Sequence, residues 1–208
     1  MKNNPLSKRL ADKTMRLTEY VHLCLETRLK NGDSVLDATA GNGYDALKAA
    51  ELVQPNGNVV AIDIQKQAIE ATEAKLTEAK LSHHCELHLG NHGELLKTLN
   101  QIFDCILFNL GYLPGSDKMI ITTAKDTFSA LNQSQRLLKE DGALFVTAYR
   151  QHEGGQDEAN SVETWMHEQH ANGWDIEKIE PKHQSQILSP ILWIASRSTL
   201  TLPPFPNR

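Results

Sequence analysis

Between residues 34 and 148, short and almost uninterrupted apolar runs alternate with longer segments of helical periodicity, and nothing else in the sequence constrains the fold as tightly. The runs cover 34–38, 58–63, 85–89, 103–109 and 143–148, with helices predicted over 43–53, 65–80, 92–99 and 123–139. A helical crossover returns the chain to the same end of a sheet, so strands joined this way run parallel. Strands that alternate with helices in this way build βαβ units, which predicts that helices cover both faces of the sheet.

After residue 148 the rhythm breaks. A helix over 155–170 leads to strands over 174–179 and 191–195, separated by a loop too short for a helical crossover. Those two strands are expected to pair antiparallel. In front of the alternation, Leu10, Met15, Leu17, Val21, Leu25 and Leu29 predict a helix over 6–30, stopped by Asn31-Gly32. The expected architecture is α/β: a Rossmann-like, seven-stranded, mostly parallel sheet with a C-terminal antiparallel pair, helices on both faces and an N-terminal helix. Residues 1–32 read as a helical extension and 33–208 as one domain.

The chain has 208 residues and a net charge of −5, which excludes a chain-wide cationic field for a polyanion. The charge is uneven: residues 1–30 sum to +4, residues 181–208 to +3 and residues 31–180 to −12. Any contact with RNA is therefore expected to be local, through Lys8, Arg9, Lys13, Arg16, Lys182, Arg197 and Arg208, with Arg150 and Lys118. Cys24, Cys85 and Cys105 are scattered and lack CxxC spacing, so a reducing cytoplasm is expected. No apolar run follows the N-terminal charges and none approaches bilayer length, so neither secretion nor a membrane partner is expected.

Asp37-Ala-Thr-Ala-Gly41-Asn-Gly43 lies between a predicted strand and a predicted helix. Glycines there let the backbone approach a ligand, and the free N–H groups of the helix favour a polar or anionic group. Twenty residues after Gly43, Asp63 ends the next strand, where a carboxylate accepts hydrogen bonds from ribose hydroxyls. Gly41-x-Gly43-x-x-Ala46 also satisfies a dinucleotide fingerprint, which keeps NAD open. Asp37 separates the two: a carboxylate at the mouth of strand 1 suits an ammonium group and repels a pyrophosphate. S-adenosylmethionine has that ammonium and no phosphate.

The strand over 103–109 runs into Asn109-Leu-Gly-Tyr112, spaced like the Asn-Pro-Pro-Tyr motif of amino-directed methyltransferases, with Leu110-Gly111 in place of Pro-Pro. By that resemblance the Asn109 oxygen accepts a hydrogen bond from the target amine and the Tyr112 ring stacks on the substrate. Past the fifth strand, Tyr149-Arg-Gln-His152-Glu-Gly-Gly155 brings a histidine whose ordinary pKa suits removal of a proton from an amine. A surface histidine in a glycine turn is the alternative.

Taken together, residues 37–45, Asp63-Ile64-Gln65, residues 108–114 and residues 149–158 resemble the YtqB/MnmM family of bacterial rRNA methylases. The resemblance runs from about residue 33 to 158. It implies a class I methyltransferase domain and S-adenosylmethionine as cofactor. The implied substrate is RNA, with tRNA favoured over rRNA and the aminomethyl group of a wobble uridine as acceptor. The implied cofactor residues are Asp37, Thr39, Gly41, Asn42, Gly43, Asp63, Ile64, Gln65 and Asn109; the implied catalytic residues are Asn109, Tyr112 and His152. Asn91 and His92 either line an adenine pocket or, for Asn91, cap a helix. No DNA partner is expected, and a homodimer is compatible with the sequence. The sequence departs from the family in Ala46, where Thr is usual, and in Gln186-Ile-Leu-Ser-Pro190 near the C-terminus.

A small-molecule amine methyltransferase, an NAD-dependent oxidoreductase and a non-catalytic binding module are the rival readings. His83, His84, Cys85, His88 and His92 do not read as a metal site: on one strand, Cys85 and the pair His84 and His88 face opposite ways. Trp165, Trp174, Trp193 and Phe128 read as packing residues.

Overall fold

A computed structural model describes residues 15–111, 122–181 and 188–206. The N-terminal helix is α1 (Leu17–Arg28), followed by β1 (Ser34–Asp37), α2 (Tyr44–Val53), β2 (Asn58–Asp63) and α3 (Lys66–Glu78). Next come β3 (Cys85–Leu89), α4 (His92–Thr98), β4 (Phe103–Leu110), α5 (Ala124–Leu137) and β5 (Leu138–Ala148). The chain ends with α6 (Gly155–Ala171), β6 (Asp175–Ile179) and β7 (Ile191–Ser196). Residues 6–14 of the predicted first helix, including Leu10, lie outside the described residues.

The strands form one sheet in the order β3-β2-β1-β4-β5-β7-β6. The first five are parallel, and β7 inserts antiparallel between β5 and β6. The mostly parallel sheet and its terminal antiparallel pair are as the sequence predicts.

Strand residues alternate between two cores. Val35, Val59, Cys105, Leu107 and Phe145 pack with α1, α2 and Leu76 of α3. Leu36, Val60, Ile106, Phe108 and Val146 pack with Leu96 of α4, Leu131 of α5 and Trp165 of α6. Leu17, Val21 and Leu25 of α1, one turn apart, belong to the first core, beside Tyr20 and Cys24. The helix before the alternation therefore covers the sheet instead of projecting from it. Trp165, Trp174 and Trp193 are all buried in the second core, with Phe128 packed against it.

Two expectations need correction. The fifth strand begins at Leu138, not at 143, and α5 stops at Leu137. Lys139-Glu140 favour helix on propensity, but Leu138 is buried and already pairs with Phe103, so tertiary pairing prevails. His84 is not on β3: it ends a 3₁₀ turn (Ser82–His84), buried, with Nδ1 3.3 Å from the Gly57 carbonyl oxygen. Among the described residues no group of three or more His, Cys, Asp or Glu side chains is arranged to hold a metal. None of their helices is long and apolar enough to cross a membrane.

Candidate active site

A cavity of about 1010 Å³ opens where β1, β2 and β4 end, the place where open parallel sheets receive ligands. Its walls differ in construction.

One wall is the loop after β1 together with the end of β2. Asp63 accepts hydrogen bonds from the Gly41 N–H through Oδ2 and the Gln65 N–H through Oδ1, both at 2.9 Å. Burial raises its pKa, and these N–H donors oppose the rise. Thr39, Gly41, Asn42, Asp63, Ile64 and Gln65 all face the cavity. Asp37 and Gly43 do not. Asp37 is fully buried one layer behind, where it accepts from the Thr39 N–H at 3.2 Å through Oδ1 and its Oδ2 has no hydrogen-bond partner. Its pKa lies well above the usual carboxylate range because of burial first and then the charge of Asp45. Gly43 has φ +75°, and a Cβ there would sit 2.7 Å from the Thr72 Cα. Glycine is thus needed at 43 for the turn and for the approach of α3.

At the next end of the cavity, Asn91 caps α4 by accepting from the Gly93 N–H at 2.7 Å. It also lines the cavity. His92 is buried and edge-on to Phe108, and burial lowers its pKa, which keeps the ring neutral near pH 7. Asp126 lines the same end; burial acts to raise its pKa, but hydrogen bonds from Asn91 and Thr123 outweigh that and leave it lowered.

The opposite wall carries Asn109. Its backbone N–H donates to Thr39 Oγ1 at 2.6 Å, tying β4 to the glycine loop, and its side-chain Nδ2 donates to Asp45 Oδ2 at 2.7 Å. The other Asp45 oxygen is 2.5 Å from His22 Nε2 of α1. Beyond Asn109, the Gly111 N–H donates to Thr122 Oγ1 at 2.9 Å, and Thr122 Oγ1 donates to Glu158 Oε2 at 2.7 Å. Thr127 donates to Glu158 Oε1 at 2.6 Å. Glu158 is 1% exposed, and burial raises its pKa against the two hydroxyl donors. His152 packs against Gly155, where a Cβ would meet its Nε2 at 2.8 Å, and its Nδ1 lies 2.9 Å from the Glu153 carbonyl oxygen. Tyr149 and His152 both face the cavity. Tyr112 lies outside the described residues.

Nine of the expected cofactor residues and His152 therefore converge on one cavity, with Asp37 and Gly43 standing behind its wall. Sequence reading missed His22, Asp126 and Thr122 as cavity residues. Asp45 was present in the motif, but only its pairing with Asn109 gives it a role. Two cations expected at RNA are engaged in the fold. Arg150 bonds Glu180 and the Ser189 carbonyl, and Arg197 bonds the Leu138 and Gln135 carbonyls and lies over the Trp174 ring. Arg16 is at the cavity, 79% exposed along its side chain and paired with Glu19. Lys8, Arg9, Lys13, Lys118, Lys182 and Arg208 lie outside the described residues.

Three carboxylates, Asp37, Asp45 and Asp63, thus gather around the loop, and Asp45 occupies the first turn of α2. A negative side chain at that helix terminus takes the position a pyrophosphate would need. The cavity suits a ligand with hydroxyl donors at one end and a cation at the other.

Comparison with known proteins identifies the family. A family model described as "Putative rRNA methylase" matches residues 59–195. The chain is 37% identical to the chloroplastic tRNA (mnm(5)s(2)U34)-methyltransferase of Arabidopsis thaliana; the match covers 72% of this chain and 58% of that protein. The chain therefore spans little more than half the length of that curated relative. A solved structure from Clostridium thermocellum, described in the same terms as the family, superposes with TM-score 0.83 at 30% identity, covering 88% of this chain and 98% of the other. A Streptococcus mutans methyltransferase solved in complex with SAH superposes with TM-score 0.77 at 26% identity, again covering 88% and 98%.

Proposed function

Because the chain belongs to the rRNA methylase family of class I S-adenosylmethionine-dependent methyltransferases, we propose that it methylates RNA at the amine of an aminomethyl group on a tRNA wobble uridine. One observation carries the reading: Asp63 at the end of β2 and Asn109 at the end of β4 face one cavity across the glycine loop. The first suits a nucleoside and the second an amine. Residues 33–208 are taken as the methyltransferase domain, with α1 preceding it and packed into its first core.

The donor set fits S-adenosylmethionine. Asp63 receives the ribose hydroxyls while the Gly41 and Gln65 N–H groups hold its carboxylate in place. Asp45, which borders the cavity, makes the far end favourable to a cation. Asn91, His92 and Asp126 border the adenine. When bound, S-adenosylmethionine supplies a methyl group on an electrophilic sulfonium.

The chain's own residues position the acceptor. Asn109 Oδ1 would accept a hydrogen bond from the amine and so orient its lone pair for attack on the methyl group that the cofactor would supply. An amine protonated at neutral pH must first lose a proton, and His152 at the same wall accepts or relays it. Tyr149 and His152 flank the path of the substrate.

The test is mass spectrometry of wobble nucleosides after tRNA from cells lacking the gene is incubated with the protein and S-adenosylmethionine. The aminomethyl nucleoside should gain one methyl group. Wobble nucleosides that stay unchanged while rRNA or a small amine is methylated would overturn the tRNA assignment. Stabilisation by NADH without any by SAH, in a thermal-shift assay, would overturn the cofactor.

A further inference from the structure

Asp45 joins three elements that the sequence keeps far apart. His22 on α1 places Nε2 2.5 Å from Asp45 Oδ1, and Asn109 on β4 donates from Nδ2 to Asp45 Oδ2 at 2.7 Å. Both His22 and Asp45 are largely buried, with 28% and 12% of their side chains exposed. An asparagine amide presents a donor on one side and an acceptor on the other, and the two orientations have nearly the same shape. An ionised carboxylate only accepts, so Asp45 engages the NH₂ and leaves Asn109 Oδ1 for an incoming group. Reversed, the amide would present N–H to the protons of an amine.

We propose that His22 acts through Asp45 to fix the orientation of the Asn109 amide, which makes His22 and Asp45 positioning residues for the methyl acceptor. The inference rests on the methyltransferase reading above. His22 donates to the second carboxylate oxygen and holds the Asp45 side chain in the rotamer that reaches β4. Since Leu17, Tyr20, Val21 and Leu25 anchor α1 in the core, docking of this helix and orientation of the acceptor residue are one structural event. The N-terminal helix thus takes part in the site chemically as well as by covering it.

The test uses the full chain with D45N, H22A and H22Q. The readouts are kcat for methyl transfer to total tRNA from cells lacking the gene, and the SAH dissociation constant by calorimetry. D45N offers an amide in place of an acceptor-only group, so kcat should fall roughly tenfold or more, a clearly larger factor than the loss of SAH affinity that follows from removing its charge. H22A should lose less, and H22Q, which keeps a donor at the Nε2 position, should recover part of that loss. If D45N loses SAH affinity by the same factor as activity, Asp45 holds the cofactor instead and the inference fails. It also fails if kcat is unchanged in both D45N and H22A.

A second readout does not depend on the substrate. In ¹⁵N spectra, the Asn109 side-chain amide, identified by its loss in N109A, should exchange slowly in the wild type and faster in H22A and D45N. Equal exchange in all three would refute the network. A wild-type protein that methylates no tRNA would refute only the substrate assignment.

Discussion

The wall that carries Asp63 is assembled from residues 37–65, and the hydrogen bonds that Asp37 and Asp63 accept close within a single β-α-β unit. The wall that carries Asn109 draws on His22, Asp45, Thr122, His152 and Glu158, which the chain brings together from separate segments. The first wall is mostly backbone N–H groups aimed at carboxylates. The second is side chains held by other side chains. A nucleoside cofactor can be gripped by a local motif, whereas an acceptor must be aimed, and aiming needs constraints from several directions.

The largest effect expected from this contrast is at Asp63. Asp63→Ala removes acceptors for two ribose hydroxyls at about 1.5–3 kcal/mol per charged hydrogen bond, so the SAH dissociation constant should rise at least tenfold by calorimetry. Unchanged affinity would break the assignment of this wall to the cofactor.

Glu158→Ala acts on the other wall. It strands the Thr127 hydroxyl in the interior and removes the acceptor of Thr122 at the cavity wall, at a cost of about 1–3 kcal/mol in denaturant unfolding, and should leave SAH affinity nearly intact. A parallel loss of cofactor affinity would mean that the walls are not separable.

The third effect depends on pH. Asp37 has its pKa raised well above the ordinary 3.8, so the folded chain keeps a proton that the unfolded chain releases. Its contribution is fully present below about pH 4 and is lost as pH rises towards the folded-state pKa, with a slope of up to about 1.4 kcal/mol per pH unit. Unfolding free energies measured across that window should fall with pH in the wild type. In Asp37→Asn the slope should flatten.

The smallest effect is at Arg197. Its guanidinium is bound to two backbone carbonyls and lies over Trp174, so Arg197→Ala should cost about 1 kcal/mol, a drop of about 2–4 °C in Tm. Binding of tRNA should not change. Weakened binding would return this arginine to the RNA surface that sequence charge assigns it.

The contrast also governs what can be read from sequence. The central strands are legible because each is a mostly apolar run, and the parallel order of the first five follows from the helices between them. The Asp37 to Gly43 loop and Asp63 are legible because the contacts that give them meaning lie a few residues away or at fixed β-α-β spacing. Asp45 is visible but carries no assignment, since its partners are 23 and 64 residues away. His22 looks like one more polar residue on an amphipathic helix. Gly43 is found for an incomplete reason: the neighbour that demands it, Thr72, belongs to the next helix. The start of β5 is missed because Lys139-Glu140 favour helix while the pairing of Leu138 with Phe103 is a long-range contact. Arg150 and Arg197 show the same limit for charge, since a basic residue counted as surface can be engaged by carbonyls, a carboxylate or a ring of its own fold.

The most direct measurement is single-turnover methyl transfer to tRNA from cells lacking the gene, by wild type and Asn109→Ala, at an S-adenosylmethionine concentration that saturates both. If the two walls divide the work as argued, the variant binds cofactor normally and its transfer rate falls on the order of a hundredfold, the cost of losing acceptor alignment. Transfer at the wild-type rate, or a variant that cannot be saturated with cofactor, would contradict it.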